Sequence, residues 1–418
     1  MTQLHKKFSK DQIIDLLKRY LKKEIDRKHL QTVLGIGKAR FFTLLRDYRK
    51  DPALFTIEYN RKSAPRLSAE VEKIIVNELT VDRNLIEDPD VPLRHFNYSY
   101  VKNRLSNKYH QKVSLPTVIR CAKRNDLYQP RKSSKTIHDR EVLTNYAGEL
   151  IQHDSSHHLF SPAAKEKWFL ITSLDDYSRY ILHAELLRKE STWAHIAALQ
   201  SAFLQYGIPF SYYVDSHSIF RFVRGRDSLR YRHHQLTDEA TPQWKQVLDD
   251  CNVKVIYALS AQAKGKIERP YQWLQDHLVR TCVRENVTEI QKARTILKQE
   301  IRHYNHRQVH STTKEIPHLR FLKALEDGKT LFRPFAVNPP FESPKDIFCL
   351  RIQRVIDAYR KISLNNFQFK VNHSNPREPV TLRIYPLNAI LSEVRVWCNN
   401  KLIDIQKIKN SDLKGVQF

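Results

Sequence analysis

The sequence predicts a multidomain chain: all-α helix-turn-helix modules at the N-terminus, a central α/β domain with a mixed sheet, and a small antiparallel β domain, barrel or sandwich, at the C-terminus. Three observations predict it. Apolar residues recur at helical spacing through the first 130 positions, strand-like and helical runs alternate from about 147 to 330, and only short strand patterns follow 350. A length of 418 residues leaves room for several domains, and 41% hydrophobic residues are enough to build cores, which excludes a disordered chain. The 71 basic residues outnumber the 45 acidic ones, a net charge of +26, and point to a polyanionic partner, most often nucleic acid. That charge is spread along the chain and not gathered into one amphipathic helix or tail, which weighs against a membrane surface. No apolar run is long enough to span a membrane, and MTQLHKKFSK lacks an apolar signal core, so a cytoplasmic location is expected. The five cysteines are scattered without a CxxC pair, which argues against a disulfide framework and a cysteine-based zinc site.

Residues 1–60 form the first module. Apolar residues at 13, 14, 16, 17, 20 and 21 put a helix over Lys10–Glu24; Arg27–Leu34 and Lys38–Arg49 suit two short helices. Leu34-Gly35-Ile36-Gly37 between them makes a tight turn where glycine takes positive φ. Two short helices about such a turn form a helix-turn-helix. The second carries Lys38, Arg40, Arg46 and Arg49 at exposed positions, suited to reaching phosphates or guanine edges. A solvated three-helix domain is the plainer reading of the same pattern.

Residues 65–128 look like a second such module. Ser68 caps a helix over Ala69–Leu79; NYSYVKNRLSNKYHQKVSLPTVIRCAKRNDL reads as helix, connector, helix, with Ser114 as N-cap and Pro116 in the first turn. Val118, Cys121 and Ala122 face inward, and Arg120, Lys123 and Arg124 face out. The stretch 129–146 is a basic linker, lying on DNA or simply solvated.

Residues 147–330 carry strands at Leu150–Asp154, Trp168–Asp175, Tyr180–Leu187, Phe210–Asp215 and Val253–Leu259. Helices are expected at Glu190–Tyr206, Pro242–Asp250, Ile267–Arg284 and Thr288–His306. WFLITSLD is nearly all apolar, as a strand covered on both faces should be. Gly207 and Pro209 stop the first helix. Three consecutive strands, then helix–strand–helix–strand, describe a mixed sheet. In 350–418 the strands are KISLNNFQFKV, PVTLRIY, AILSEVRVWCNN and KLIDIQKI, read as a small antiparallel β-barrel, with Asn399-Asn400 as a hairpin turn.

Two acids lie at strand ends, Asp154 in GELIQHDSS and Asp215 in FSYYVDSH, where sites in open α/β sheets form. Either alone could be a turn former. A third, Glu268 in AQAKGKIERPYQ, lies beside the apolar stripe Ile267, Tyr271, Leu274 and Leu278 of its helix. Pro270 puts the start of that helix near Ile267 or at Pro270 itself, and an electropositive N-terminus keeps Glu268 ionised. Lys264, Lys266 and Arg269 surround it and suit contact with a polyanion. Glu268 is then a metal ligand in a site built for phosphates; the other reading is that it balances its basic neighbours. His153, His157 and His158 around Asp154 either touch metal or substrate or make ordinary hydrogen bonds.

Asp154, Asp215 and Glu268, with 60 and 52 residues between them, together with LDDYSRYI (174–181), VDSHSIF (214–220), YALSAQAKGKIER (257–269) and HYNHRQVHSTT (303–313), carry a resemblance. The chain resembles DDE transposases of insertion sequences, in the retroviral-integrase-like superfamily; VDSHSIF and AQAKGKIER point to the ISNCY group. The resemblance covers most of the chain and implies an RNase-H-like catalytic core between the helix-turn-helix modules and the C-terminal β domain. It makes Asp154, Asp215 and Glu268 the catalytic and metal-binding triad. The second gap is longer than is usual for integrases, which places an insertion near RFVRGRDSLRYRHHQ (221–235), where arginines hold DNA or a surface loop protrudes. The zinc-binding N-terminal domain of retroviral integrases has no matching cysteines here, so no zinc is expected.

The resemblance implies two Mg²⁺ ions per site, for which Mn²⁺ substitutes, activating the attacking oxygen and stabilising the leaving one. Water would free 3′-OH ends at the element's termini, and those hydroxyls would attack target DNA in trans-esterification. Lys264, Lys266 and Arg269 would hold the DNA backbone, and the helix-turn-helix modules would recognise terminal inverted repeats. The expected partners are double-stranded DNA and further copies of the chain, a homodimer or larger complex assembled on DNA, in a bacterial cytoplasm at the nucleoid. Two other readings fit the fold: a catalytically silent DNA-binding protein, and a stand-alone metal-dependent nuclease.

Overall fold

The computed structural model describes residues 4–58, 67–130, 143–215, 219–220, 242–258, 265–364, 367–372 and 374–413, with backbone only at 265–269. The basic stretch 221–235, Lys264 and most of the expected linker lie outside the described residues. The chain divides into two compact units, Met1–Lys73 and Ile74–Phe418.

The first unit contains α1 (Lys10–Leu21), α2 (Arg27–Leu34) and α3 (Lys38–Lys50). A capping box starts α1: Ser9 Oγ accepts the Gln12 N–H at 3.2 Å, and Gln12 Oε1 accepts the Ser9 N–H at 2.9 Å. Asp26 caps α2 by accepting the N–H groups of Lys28 and His29, which hold its carboxyl below the usual range. In the turn, only Gly35 takes positive φ, 61°; Gly37, at −76°, opens α3. Ile13, Leu17, Leu30, Leu34, Phe41 and Leu44 make a core belonging to this unit alone.

The second unit takes in α4 (Ala69–Glu87) from Ile74 onward, α5 (Tyr98–Lys108) and α6 (Leu115–Arg124). Ser114 caps α6 through the Thr117 N–H at 3.3 Å, and α4 runs two turns beyond the expected Leu79. The sheet that follows has β1 (Ile151–His158), β2 (Trp168–Asp175), β3 (Ile181–Leu187), β4 (Ser211–Val214) and β5 (Lys254–Tyr257) in the order β3-β2-β1-β4-β5. The first three strands are antiparallel neighbours, while β1–β4 and β4–β5 are parallel, the mixed sheet that the element order predicts. Helices α7 (Thr192–Tyr206) and α8 (Gln243–Asp250) cover one face; α9 (Gly265–Arg284) and α10 (Ile290–Arg307) cover the other, followed by α11 (Pro317–Glu326). Helix α9 starts at Gly265 and keeps Pro270 inside, not at its start. So early in a helix, proline removes one hydrogen bond of the ladder, and the buried Tyr271, Leu274 and Leu278 beyond it anchor the rest.

Helix α9 is fastened to α4–α6 by buried ions. Arg280 Nη1 donates to Asp82 Oδ2 at 2.6 Å with both side chains at 0% exposure, and Arg284 Nη2 donates to Asp82 Oδ1 at 2.7 Å. Arg284 also pairs with Glu78, whose carboxylate accepts from Arg104 at 3.0 Å and from the Tyr109 hydroxyl at 2.6 Å. Tyr100 links to Thr281 at 2.9 Å, and Asn97 donates to Asp276 at 2.5 Å.

Two motifs gain physical reasons. In LDDYSRYI, Asp175 accepts the Gly148 and Ser178 N–H groups at 2.9 Å, and burial pushes its carboxyl up to about 6. Its neighbour Asp176 accepts from Gln152 of β1 at 2.5 Å and from Arg179 at 2.6 Å, tying the β2–β3 turn under β1. In HYNHRQVHSTT, the Asn305 amide bonds both the N–H and the carbonyl of Ile181 at 3.0 Å, stapling α10 to β3.

After a one-turn α12 (Pro344–Ile347) come β6 (Leu350–Val355), β7 (Lys361–Leu364), β8 (Phe367–Lys370), β9 (Pro379–Pro386), β10 (Leu391–Cys398) and β11 (Lys401–Lys409). The barrel expectation is corrected here: the strands form an open four-stranded sheet, β11-β10-β9-β6, and a separate β7–β8 hairpin. Closure is unnecessary because helices of the α/β domain cover the apolar face. Val380, Leu382, Val394 and Val396 share one core with Ile196, Leu199, Phe203, Val247 and Leu248. Arg351 of β6 and Asp250 of α8 pair at 2.6 Å across the same junction. Asn399 and Asn400 turn the β10–β11 hairpin with φ of 49° and 60°, positive at both positions as a type I′ turn needs.

Candidate active site

Strand β1 places Asp154 opposite Thr172 of β2. On its other side β1 runs parallel to β4, with Ile151 opposite Tyr212 and Gln152 opposite Tyr213. There the pairing stops. Continuing the register by two residues brings Asp154 level with Asp215, which directly follows β4. Both acids are half-buried. Two carboxylates thus stand at one level where two neighbouring parallel strands part, the kind of crevice where open α/β sheets bind ligands.

Helix α9 packs along β1. The Tyr271 hydroxyl donates to the Asp154 carbonyl at 2.5 Å, and Gln275 Nε2 donates to Ser156 Oγ at 2.7 Å. Burial first, then the Asp154 carboxylate, push the Tyr271 phenol well above its ordinary range, so it stays a protonated donor. Glu268 stands on α9 one turn before Tyr271. Its side chain, with those of Lys266 and Arg269, lies outside the described residues. The expected strand end at Asp154 is corrected here, since β1 runs on to His158, while Asp215 directly follows β4; their two carboxylates offer the hard oxygen donors that a divalent cation such as Mg²⁺ takes, so the described part of the site fits the ion. Among the described residues no cluster of three or more His, Cys, Asp or Glu suits a metal.

The histidines beside Asp154 divide. His153 is fully buried: its Nδ1 meets Ser173 Oγ at 2.9 Å, its Nε2 meets His195 Nδ1 at 2.8 Å, and its ring stacks on Trp244. It therefore makes the hydrogen-bonding choice of the two the sequence left open. His157 stacks on Phe169 at 4.2 Å, and burial lowers the pKa of the half-buried His158. Sequence reasoning missed Glu190, whose Oε1 accepts from Ser155 Oγ and lies 2.9 Å from His195 Nε2. The signal was hidden, because Glu190 reads simply as the approach to the Ser191 cap of α7.

The basic residues expected on recognition helices are exposed where described. Lys38, Arg40 and Arg46 line α3, and Arg46 pairs with Asp47 at 3.5 Å. On α6, Arg120, Lys123 and Arg124 are exposed, and Lys123 lies 4.8 Å above the Tyr128 ring. No helix among the described residues is long and apolar enough to cross a membrane.

The proteins that this chain resembles are transposases. It is 25% identical over 232 residues to the "Putative transposase y4bF" of Sinorhizobium fredii, covering 56% of this chain and 46% of that protein. It is 27% identical over 303 residues to the transposase for insertion sequence IS1202 of Streptococcus pneumoniae, covering 69% of this chain and 58% of that one. The chain spans about half the length of the curated relatives it matches. Similar solved structures are integrases. The HTLV-2 integrase catalytic core in complex with magnesium, in its trimeric form, is 16% identical, with 44% of this chain and 99% of that one covered and a TM-score of 0.30. A simian T-cell lymphotropic virus intasome in complex with a PP2A regulatory subunit is 14% identical, with 75% and 93% covered and a TM-score of 0.34. No protein-family profile matches the chain. The relatives agree with the transposase reading of the motifs.

Proposed function

We propose that the protein is a transposase that binds the terminal inverted repeats of a mobile DNA element and catalyses cleavage and strand transfer at their ends. Asp154, Asp215 and Glu268 hold divalent metal, Mg²⁺ with Mn²⁺ as substitute, two ions per site. The observation that carries this is the levelling of Asp154 with Asp215 across β1 and β4, with α9, the helix of Glu268, pinned to β1 through Tyr271. Bound metal would polarise the scissile phosphate and lower the pKa of the attacking oxygen. The chain's own residues position: Tyr271 and Gln275 fix β1 against α9, and Lys264, Lys266 and Arg269 hold the DNA backbone by charge. Exposed bases on α3 (Lys38, Arg40, Arg46) and α6 (Arg120, Lys123, Arg124) engage duplex DNA. Joining two element ends needs two sites, so the working form is a dimer or larger complex assembled on DNA.

The test is strand transfer in Mg²⁺ with a pre-cleaved element end and a plasmid target, comparing the wild type with Glu268→Gln. The terminal repeat is first found by scanning DNA flanking the gene. Joined product from the wild type, and none from a Glu268→Gln protein that still binds the end, is expected. Equal joining by both removes Glu268 from the site. No joining by a wild type that binds the ends refutes the strand-transfer function.

A further inference from the structure

Past Gln152, the described residues of β4 no longer pair in register with β1, while β2 pairs along its whole length. Asp154 lies two residues beyond the last of those β1–β4 pairs. There β1 is held from both of its faces. Residues 154 and 156 lie on the α9 side, where Gln275 reaches Ser156. Residues 153 and 155 lie on the α7 side, where His153 meets His195 and Ser155 meets Glu190.

Glu190 is unusual for an acid at a helix entry: its side chain is only 15% exposed, and the His195 beside it is 0% exposed. One carboxylate oxygen, Oε1, accepts from Ser155 Oγ and from His195 Nε2. The donor directions follow from the chemistry. An ionised carboxylate only accepts, so His195 donates through Nε2–H and its Nδ1 becomes an acceptor. His153 must then donate through its own Nε2–H, and its Nδ1 accepts from Ser173. For neutral imidazoles one orientation thus serves the whole row, from Glu190 through the sheet interior to β2. The row ends on Ser155, whose backbone N–H donates to Asp154 Oδ1 at 3.0 Å.

We propose that Glu190 is a positioning residue for the metal site: anchored by His195 and His153, it grips Ser155 and thereby fixes how β1 presents the Asp154 carboxylate. The proposal rests on reading Asp154 as a metal ligand. Support of this kind for a ligand is commonly worth a 10–100-fold change in metal affinity.

The experiment is calorimetric titration of Mn²⁺ into the full chain, as wild type, Asp154→Asn, Glu190→Ala, Glu190→Gln and Ser155→Ala, with a thermal melt of each. Asp154→Asn should lose binding. Glu190→Ala and Ser155→Ala should each weaken it by about tenfold. Glu190→Gln should restore near-wild-type affinity, because its amide oxygen can accept both hydrogen bonds. If Glu190→Ala fails to fold, Ser155→Ala decides on its own. Unchanged affinity in the alanine variants, with or without a lowered melting temperature, overturns the positioning role. Gln as weak as Ala also overturns it, since the charge and not the grip would then matter. Wild-type binding by Asp154→Asn instead sinks the ligand reading beneath it.

Discussion

The modules α1–α3 and α4–α6 follow one plan, short helices with a basic last member, yet they are held together by different forces. The first closes on its own apolar core of Leu17, Leu30, Phe41 and their neighbours. The second is bound to α9 through buried charges: Glu78 and Asp82 on one side, Arg280 and Arg284 on the other. A hydrophobic core tolerates independence, because nothing outside the module is needed to satisfy it. A buried ion does not, because removing its partner strands a charge in a medium of low polarity. The first module is therefore a unit by itself, and the second is built into the unit that carries the candidate site.

The largest test of this contrast is Asp82→Ala. It leaves Arg280 and Arg284 with a missing partner and should cost about 3–5 kcal/mol of stability. All five tryptophans lie between Trp168 and Trp397, so tryptophan fluorescence in a denaturant titration reports the second unit alone. A shift smaller than about 1 kcal/mol would mean that the ions contribute little to holding the module. Next in size is Leu17→Ala in the first core, expected to cost about 2–5 kcal/mol. It should move a helix transition seen by far-ultraviolet circular dichroism and leave the tryptophan transition in place. Joint movement of both signals would show that the units unfold together.

The smallest effect is that of pH. Burial alone would raise the Glu78 carboxyl, but the Tyr109 hydroxyl, Arg284 and Arg104 together hold it below its usual value of 4.5. A depressed folded-state value means that its stabilisation is present above pH 4.5 and is lost as pH falls through the lower folded value. The tryptophan-reported stability of the wild type should therefore decline below pH 4.5, and the decline should be shallower in Glu78→Gln. Parallel pH curves for the two proteins would remove Glu78 from the titration.

The pattern of legibility follows the distance over which each interaction acts. Local signals were readable: the Ser68 and Ser114 caps, Gly35 at the turn, the apolar β2, and Asn399-Asn400. The two aspartates were readable because each sits in or just past a strand pattern that can be counted along the chain, although β1 runs four residues beyond Asp154, and their shared level follows from strand register. The open C-terminal sheet was not, since its apolar face is covered by α7 and α8, which lie more than 100 residues earlier. Strand β6 escaped because Arg354 breaks the apolar alternation of LRIQRV, and because Arg351, at a polar position of that pattern, is buried against Asp250 on α8. KISLNNFQFKV looked like one strand but pairs with itself as β7 and β8, with Asn365-Asn366 outside the described residues. Glu190, His195 and His153 have no shared spacing to betray them. The ionic fastening did leave a trace. Glu78 with Asp82, and Arg280 with Arg284, are like charges four apart on one helix, a local conflict that signals partners elsewhere.

The fastening also gives α9 the mechanics of a lever. Its fulcrum is Arg280 against Asp82, and Glu268 rides 12 residues away, about 18 Å along the axis. A rotation of about three degrees at the fulcrum sweeps residue 268 through about 1 Å, by the same helical rise. Pro270, with no N–H to donate, leaves the arm one rung short two residues from its working tip. The Tyr271 bond to the Asp154 carbonyl sits just inside that rung and ties the arm to β1 three residues from Glu268.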